Sequence, residues 1–149
     1  KSSPGRQRFN VLGALHATTL QLVTVTNTTY INSESVAQLL RQLATLFTDL
    51  PITLVLDNAR YQRCRLVQAL AAELNIELLF LPPYSPNLNL IERLWKFVKK
   101  ECLYSKYYEK FVDFKQAIQT CLDQVSGKFK EKLASLLTLN FQTFENVSL

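Results

Sequence analysis

The segment from Ile52 to Cys102, ITLVLDNARYQRCRLVQALAAELNIELLFLPPYSPNLNLIERLWKFVKKEC, admits few folds. It opens on an apolar run, Ile52 to Leu56, rich in strand formers and stopped by Asp57. A run this short and sharply bounded predicts a strand buried on both faces. Leu66, Val67, Leu70 and Leu74 then recur at helical spacing, and Ile76 to Leu81 is a second short apolar run. Strand, helix and strand in this order make a parallel crossover, which is right-handed almost without exception. A strand covered on both sides meets water only at its ends, and open α/β sheets bind ligands beyond the carboxyl ends of their strands. Asp57 stands at that end.

Pro82, Pro83, Tyr84, Ser85, Pro86 and Asn87 form a rigid loop, because each proline fixes its own φ and steers the preceding residue away from helical geometry. A further helix is expected from about Leu90, its buried stripe made by Leu88, Ile91, Trp95, Val98 and Cys102. Glu92 falls in its first turn, close to the loop and so to the sheet end that carries Asp57. Two carboxylates at one edge, among lysines and arginines, suit a divalent metal engaged in phosphoryl transfer. Magnesium takes few protein carboxylates and leaves its other positions to water and phosphate, and paired metals activate a nucleophile and stabilise a leaving oxygen. Each acid has a plainer reading. An Asp-ended strand also serves nucleotide hydrolases, but these need a glycine-rich phosphate loop, and Gly5, Gly13 and Gly127 lie far apart. Asn89 and Glu92 have the spacing of a capping box. Asn58 suits either a cap for the next helix or contact with metal-bound water or phosphate, the cap being the commoner role.

The spacing sharpens the choice, since 34 residues separate Asp57 from Glu92. LVLDNARYQ followed by LPPYSPNLNLIERLWKFVK resembles the catalytic core of the mariner-type DDE transposases, above all the bacterial insertion-sequence branch, whose third acid is Glu. The likeness extends from GRQRFNVLGAL to SKYYEKFVDFKQAI and LLTLNFQ. It implies an α/β, ribonuclease H-like mixed sheet with flanking helices, in which three acids hold two metal ions that cut DNA at transposon ends and join them to a target. Magnesium is the implied metal, with manganese as its substitute. By position Asp57 resembles the second acid and Glu92 the third, both catalytic and both metal ligands. Asn58, Tyr84, Ser85 and Asn89 would support the site, although loop-shaping alone accounts for Tyr84 and Ser85. Gln62 departs from the pattern, because relatives often carry His there.

The first acid should end an earlier strand, upstream of GRQRFNVLGAL, yet no acidic residue precedes Glu34, which belongs to a helix. The chain has no Met and begins with Lys, so Lys1 is not expected to be the natural start. Residues 1–149 then form one N-terminally truncated catalytic domain, with the strand of the first Asp and a helix-turn-helix region expected upstream. Without its central strand the sheet would have a gap, filled by the N-terminal segment or by a second copy in a homodimer, or left open in a marginally stable chain. Such a fragment is expected to be nearly inactive. The alternatives are a non-catalytic remnant that binds DNA or dimerises, and a metal-dependent nuclease of the same fold.

A chain of 149 residues with 48% hydrophobic content suits one domain with a real core. No apolar run approaches membrane-spanning length, and no small-molecule substrate is indicated. Three cysteines, at 64, 102 and 121, have neither CxxC spacing nor a zinc set around them, and an odd number argues against a disulfide framework. A reducing, bacterial cytoplasmic setting close to the nucleoid is expected. The net charge of +5 permits a polyanionic partner. From Arg93 to Lys115 seven basic residues face three acidic ones, interleaved with Trp95, Tyr104, Tyr107 and Tyr108. That mixture can track a phosphate backbone. Arg93, Lys96, Lys99 and Lys100 are candidate DNA contacts, as are Arg60 and Arg63, while Trp95 is expected in the core.

Elsewhere FNVLGAL and LQLVTVT read as antiparallel strands around a turn at His16–Thr19, a histidine given no catalytic role. Ser33 or Asn32 could cap a helix from Glu34 to Phe47, packed through Val36, Leu39, Leu40, Leu43 and Phe47. Two more helical faces follow, Phe111, Phe114, Ile118, Leu122 and Val125, then Phe129, Leu133, Leu136 and Leu137, with Gly127 as the break between them.

Overall fold

In a computed structural model, which describes residues 7–82, 89–103 and 106–136, the first two apolar stretches form strands β1 (Asn10–Leu15) and β2 (Leu22–Asn27). The Asn10 amide donates to Asn27 Oδ1 at one end, and the His16 N–H bonds the Gln21 carbonyl at the other, so the pair is antiparallel. His16 shapes the turn: its Nδ1 accepts from the Thr18 and Thr19 N–H groups. Helix α1 (Ser33–Leu46) follows. Of the two candidate caps Asn32 is the one used, its Oδ1 accepting from the Glu34 and Ser35 N–H groups while Ser35 Oγ accepts from the Asn32 N–H. This reciprocal box satisfies donors that the first helical turn cannot.

Strand β3 (Ile52–Leu56), helix α2 (Arg65–Glu73) and strand β4 (Ile76–Phe80) make the expected crossover. β3 and β4 are parallel, with Ile52 opposite Ile76 and Leu56 opposite Phe80. Asn75, at φ 60°, takes the left-handed conformation that ends α2 and turns the chain into β4. The helices α3 (Leu90–Val98) and α4 (Phe111–Asp123) follow, joined through a π-turn at Lys99–Leu103, and a last helix, α5, spans 130–136. The break near Gly127 is a run of turns from 124 to 129. Gly127 keeps a negative φ, so it interrupts the helices without serving as a left-handed cap.

Two compact units divide the chain, one of Phe9–Ala14 and Val23–Asn89, the other of Lys1–Arg8, Leu15–Leu22 and Leu90–Leu149. In the first, Val23 and Val25 of β2, Val36, Leu39, Leu40 and Leu43 of α1, Val67 and Ala71 of α2 and Ile76 of β4 form a single buried cluster. Both strand pairs contribute to it, yet among the described residues they are two separate two-stranded sheets. In the second unit Leu94, Phe97 and Val98 of α3 are buried with Ile118, Cys121 and Leu122 of α4 and Leu133 of α5. The Phe97 ring meets Phe129 edge-on, 5.4 Å between centroids.

Three expectations are corrected here. The β3 strand is not buried on both faces: Thr53 and Val55 are exposed, and Val55 pairs with exposed Leu79. Helices α1 and α2 cover one face, so the strand alternates like a half-covered sheet even though apolar residues occupy both sides. The buried stripe of α3 is Leu94, Phe97 and Val98, and Trp95 is only half-buried. Apolar residues surround most of this helix, and Phe129 selects the side that carries Phe97. Finally, the cysteines do form a disulfide, Cys102 to Cys121, leaving Cys64 free. An odd count does not prevent one pair from forming, and the packing of the π-turn on α4 brings two together.

The cluster makes a direct stability test. Leu40 has no exposure while Leu46, on the same helix, is 55% exposed. Leu40→Ala is expected to lower unfolding free energy by about 2–5 kcal/mol, and Leu46→Ala by less than about 0.5 kcal/mol, as read from urea denaturation.

Candidate functional site

Asp57 is the residue immediately after β3, and the hydrogen bond from the Leu81 N–H to the Leu56 carbonyl prolongs the parallel pairing up to it. The apolar run buries Leu56 and then runs out, so the half-buried Asp57 emerges where the strand leaves the core. Its Oδ1 accepts a hydrogen bond of 2.9 Å from the Asn89 side-chain amide. Asn89 itself is buried, 7% exposed, and lies just ahead of α3. Its amide thus reaches back over 32 positions of chain to hold one carboxylate. A hydrogen bond to an ionised group is stronger than one between neutral partners, and it restricts the rotation of the Asp57 side chain.

After Asp57 the chain forms a 3₁₀ turn, Arg60–Gln62. Gln62 Oε1 accepts from the Ala59 N–H at 3.4 Å, which gives this residue a role in the turn. Ala59 and Cys64 occupy the positions before the 3₁₀ turn and α2. Asn58 is therefore not a helix cap, a correction that follows from the extra turn inserted ahead of α2. Arg60 and Arg63 are exposed. Between them Tyr61 packs its ring against the core cluster. Burial, and after it the negative charge of Asp57, hold the Tyr61 phenol above its ordinary value of 10.0. Tyr61 was missed in the sequence, where the only signal was an aromatic residue one helical turn after the strand-ending Asp.

The remaining candidates belong to the other unit. Glu92 lies in the first turn of α3, half-buried, followed by half-buried Arg93 and exposed Lys96. Lys99 and Lys100 are exposed on the π-turn. Tyr84 and Ser85 lie outside the described residues. The structure thus brings together Asp57, Asn89 and Tyr61. Among the described residues no group of three or more His, Cys, Asp or Glu side chains could hold a metal ion. Asp57 nevertheless offers hard oxygen donors of the kind that magnesium accepts, and magnesium needs few of them from the protein. No described helix is long and apolar enough to cross a membrane.

An acid at the end of a half-covered strand, fixed by an amide and followed by two exposed arginines, defines an α/β protein with a strand-end carboxylate centre. The chain belongs to the DDE superfamily endonuclease family, whose model matches residues 1–115. Comparison with curated proteins returned no match. The family is one of nuclease or transposase type.

The burial of Tyr61 near the Asp57 charge has a pH signature. A phenol that holds its proton more tightly when folded gives stability that is complete below about pH 10 and is lost as pH rises through the elevated folded value. Tyr61→Phe is expected to remove that part of the alkaline loss, as read from denaturation midpoints at rising pH. Asp57→Asn should lower the Tyr61 pKa only partway, because burial is the larger cause; the tyrosinate absorbance reports it.

Proposed function

We propose that this chain is the catalytic core of a DNA transposase of the mariner type, nearest in its motifs to the bacterial insertion-sequence branch, with a ribonuclease H-like arrangement. The observation that carries the reading is the Asp57 carboxylate at the end of β3, held by Asn89, in a chain of the DDE superfamily endonuclease family. Asp57 and Glu92 hold the divalent ion, magnesium or manganese. When bound, that ion supplies Lewis-acid stabilisation and an activated oxygen nucleophile. Asn89 keeps Asp57 in one orientation, so that its carboxylate need not reorganise on binding. Arg60, Arg63, Arg93, Lys96, Lys99 and Lys100 receive phosphates of the DNA, with Asn58, Tyr84 and Ser85 as supporting residues. The separation of the two strand pairs supports the view that the strand bearing the first acid belongs between them. A cytoplasmic location close to the nucleoid accords with such a substrate.

The second reading, a DNA-binding or dimerising remnant without catalysis, is favoured by the lack of a three-acid group among the described residues. A nuclease of the same fold that does not join strands is distinguished by its products.

DNA binding and metal chemistry separate these readings. The 149-residue chain is expected to bind duplex DNA with strong salt dependence. Lys99→Ala with Lys100→Ala should reduce the slope of log K against log salt by about 2, read by fluorescence anisotropy. Asp57→Ala and Glu92→Ala should leave that slope intact and weaken magnesium binding measured by calorimetry. Salt-independent binding, or none, would sink the DNA reading. Strand cleavage and joining by the chain should be barely detectable, and robust magnesium-dependent joining would overturn the assignment of a missing acid.

A further inference from the structure

The second unit contains a cleft that the proposed chemistry leaves unused. It encloses about 450 Å³ between the π-turn, the start of α4 and the turns that follow it, and both Cys102 and Cys121 line it. Cys102 occupies the π-turn, next but one to Lys100, and Cys121 occupies the end of α4. Their Cα atoms lie 6.2 Å apart, inside the range that a disulfide spans. The two cysteines are unequally exposed: Cys121 is 2% exposed, Cys102 half-buried. The charged groups around the cleft are Lys106, Lys128, Glu101 and Asp113. Glu101 is already engaged by Lys132 at 2.7 Å, so the two lysines face one uncommitted carboxylate. An open, lysine-lined approach to one sulfur suits a small anionic thiol. The π-turn is a local departure from α-helical bonding of a kind that recurs at functional sites.

We propose that Cys102 and Cys121 form a reversible redox latch, opened by a low-molecular-weight anionic thiol entering this cleft, that fixes the turn carrying Lys99 and Lys100. The thiolate attacks Cys102 Sγ, the Sγ–Sγ bond breaks, and its electron pair leaves on Cys121 Sγ, which takes up a proton. A second thiolate attacks the outer sulfur of the mixed disulfide, releasing the small disulfide and a Cys102 thiolate that is protonated in turn. Two thiols are oxidised and one protein disulfide is reduced. In the oxidised form the turn is tied covalently to α4. In the reduced form its remaining side-chain tie to α5 is the Glu101–Lys132 pair, whose lysine is exposed and which is therefore weak. The effect on DNA binding rests on Lys99 and Lys100 being DNA contacts, as proposed above; the latch itself does not.

The test equilibrates the full chain in glutathione buffers of graded redox ratio, then quenches and alkylates it. Mass spectrometry is expected to find the Cys102–Cys121 link in oxidising buffer and its loss, reversibly and as a single two-electron transition, in reducing buffer, with Cys64 alkylated throughout. Amide hydrogen exchange at Lys99–Leu103 should quicken in the reduced form. The Cys102→Ser, Cys121→Ser pair should match the reduced chain in every buffer; chemically reduced wild type serves if that variant misfolds. Alkylation of both cysteines in oxidising buffer, linkage through Cys64, or equal exchange in the two forms would each overturn the latch. In the DNA assay reduction should lower the salt slope towards that of the Lys99, Lys100 variant. Failure of both forms to bind DNA would defeat the functional reading alone, since alkylation and exchange report the latch directly.

Discussion

The parallel pairing of β3 with β4 sets the position of everything at the candidate site. Parallel strands cannot be joined by a tight turn, so the chain between Leu56 and Ile76 has to leave the sheet, cross it and return. The 3₁₀ turn and α2 do this, and Asn75 makes the return abrupt. The register, Leu56 against Phe80, then ends both strands at one level. Asp57 emerges there, and the Leu81 N–H is still spent on the Leu56 carbonyl. A one-residue slip of β4 would exchange its core and solvent faces, placing Glu77 in the cluster now filled by Ile76.

That pairing also explains why a buried asparagine is useful. Asn89 has little exposure, and a buried amide needs partners. Asp57 supplies one, and the exchange serves both groups: the amide is satisfied and the carboxylate is oriented. The capping-box reading and the site reading of Asn89 are therefore compatible. Its amide nitrogen is committed to Asp57, and a cap would use the oxygen instead. Tyr61 lies near the same strand end, its ring against the core and its phenol raised by burial and then by the Asp57 charge.

Strand, helix and turn positions were legible in the sequence because they rest on local rules. The period of the apolar residues marked α1, and Asn32 capped it. The run of strand formers marked β3, and Asp57 ended it. Which faces are buried was less legible, because a short strand with Val55 and Leu79 on its outer side carries no alternation to read. Helix α3 failed in the same manner: with Ile91, Leu94, Trp95, Phe97 and Val98 all apolar, the choice of face falls to Phe129, which lies 32 residues beyond Phe97. The disulfide was illegible for the same reason, since pairing is fixed by tertiary approach and not by count. Asp57 was visible as a strand-ending acid; Tyr61 was not, because its role depends on burial beside a charge.

The two acids singled out by spacing differ in how the chain supports them. Asp57 is positioned by backbone pairing and by a buried amide, two constraints that persist whether or not a cation is present. Glu92 sits on a helix that begins one residue after Asn89, so the segment that orients Asp57 also starts the element carrying the other acid. A change at Asn89 acts on both, freeing the Asp57 side chain and altering the entry into α3, whereas a change at Asp57 leaves the helix start as it is. That asymmetry makes the neutral asparagine the residue on which the orientation of the Asp57 carboxylate depends.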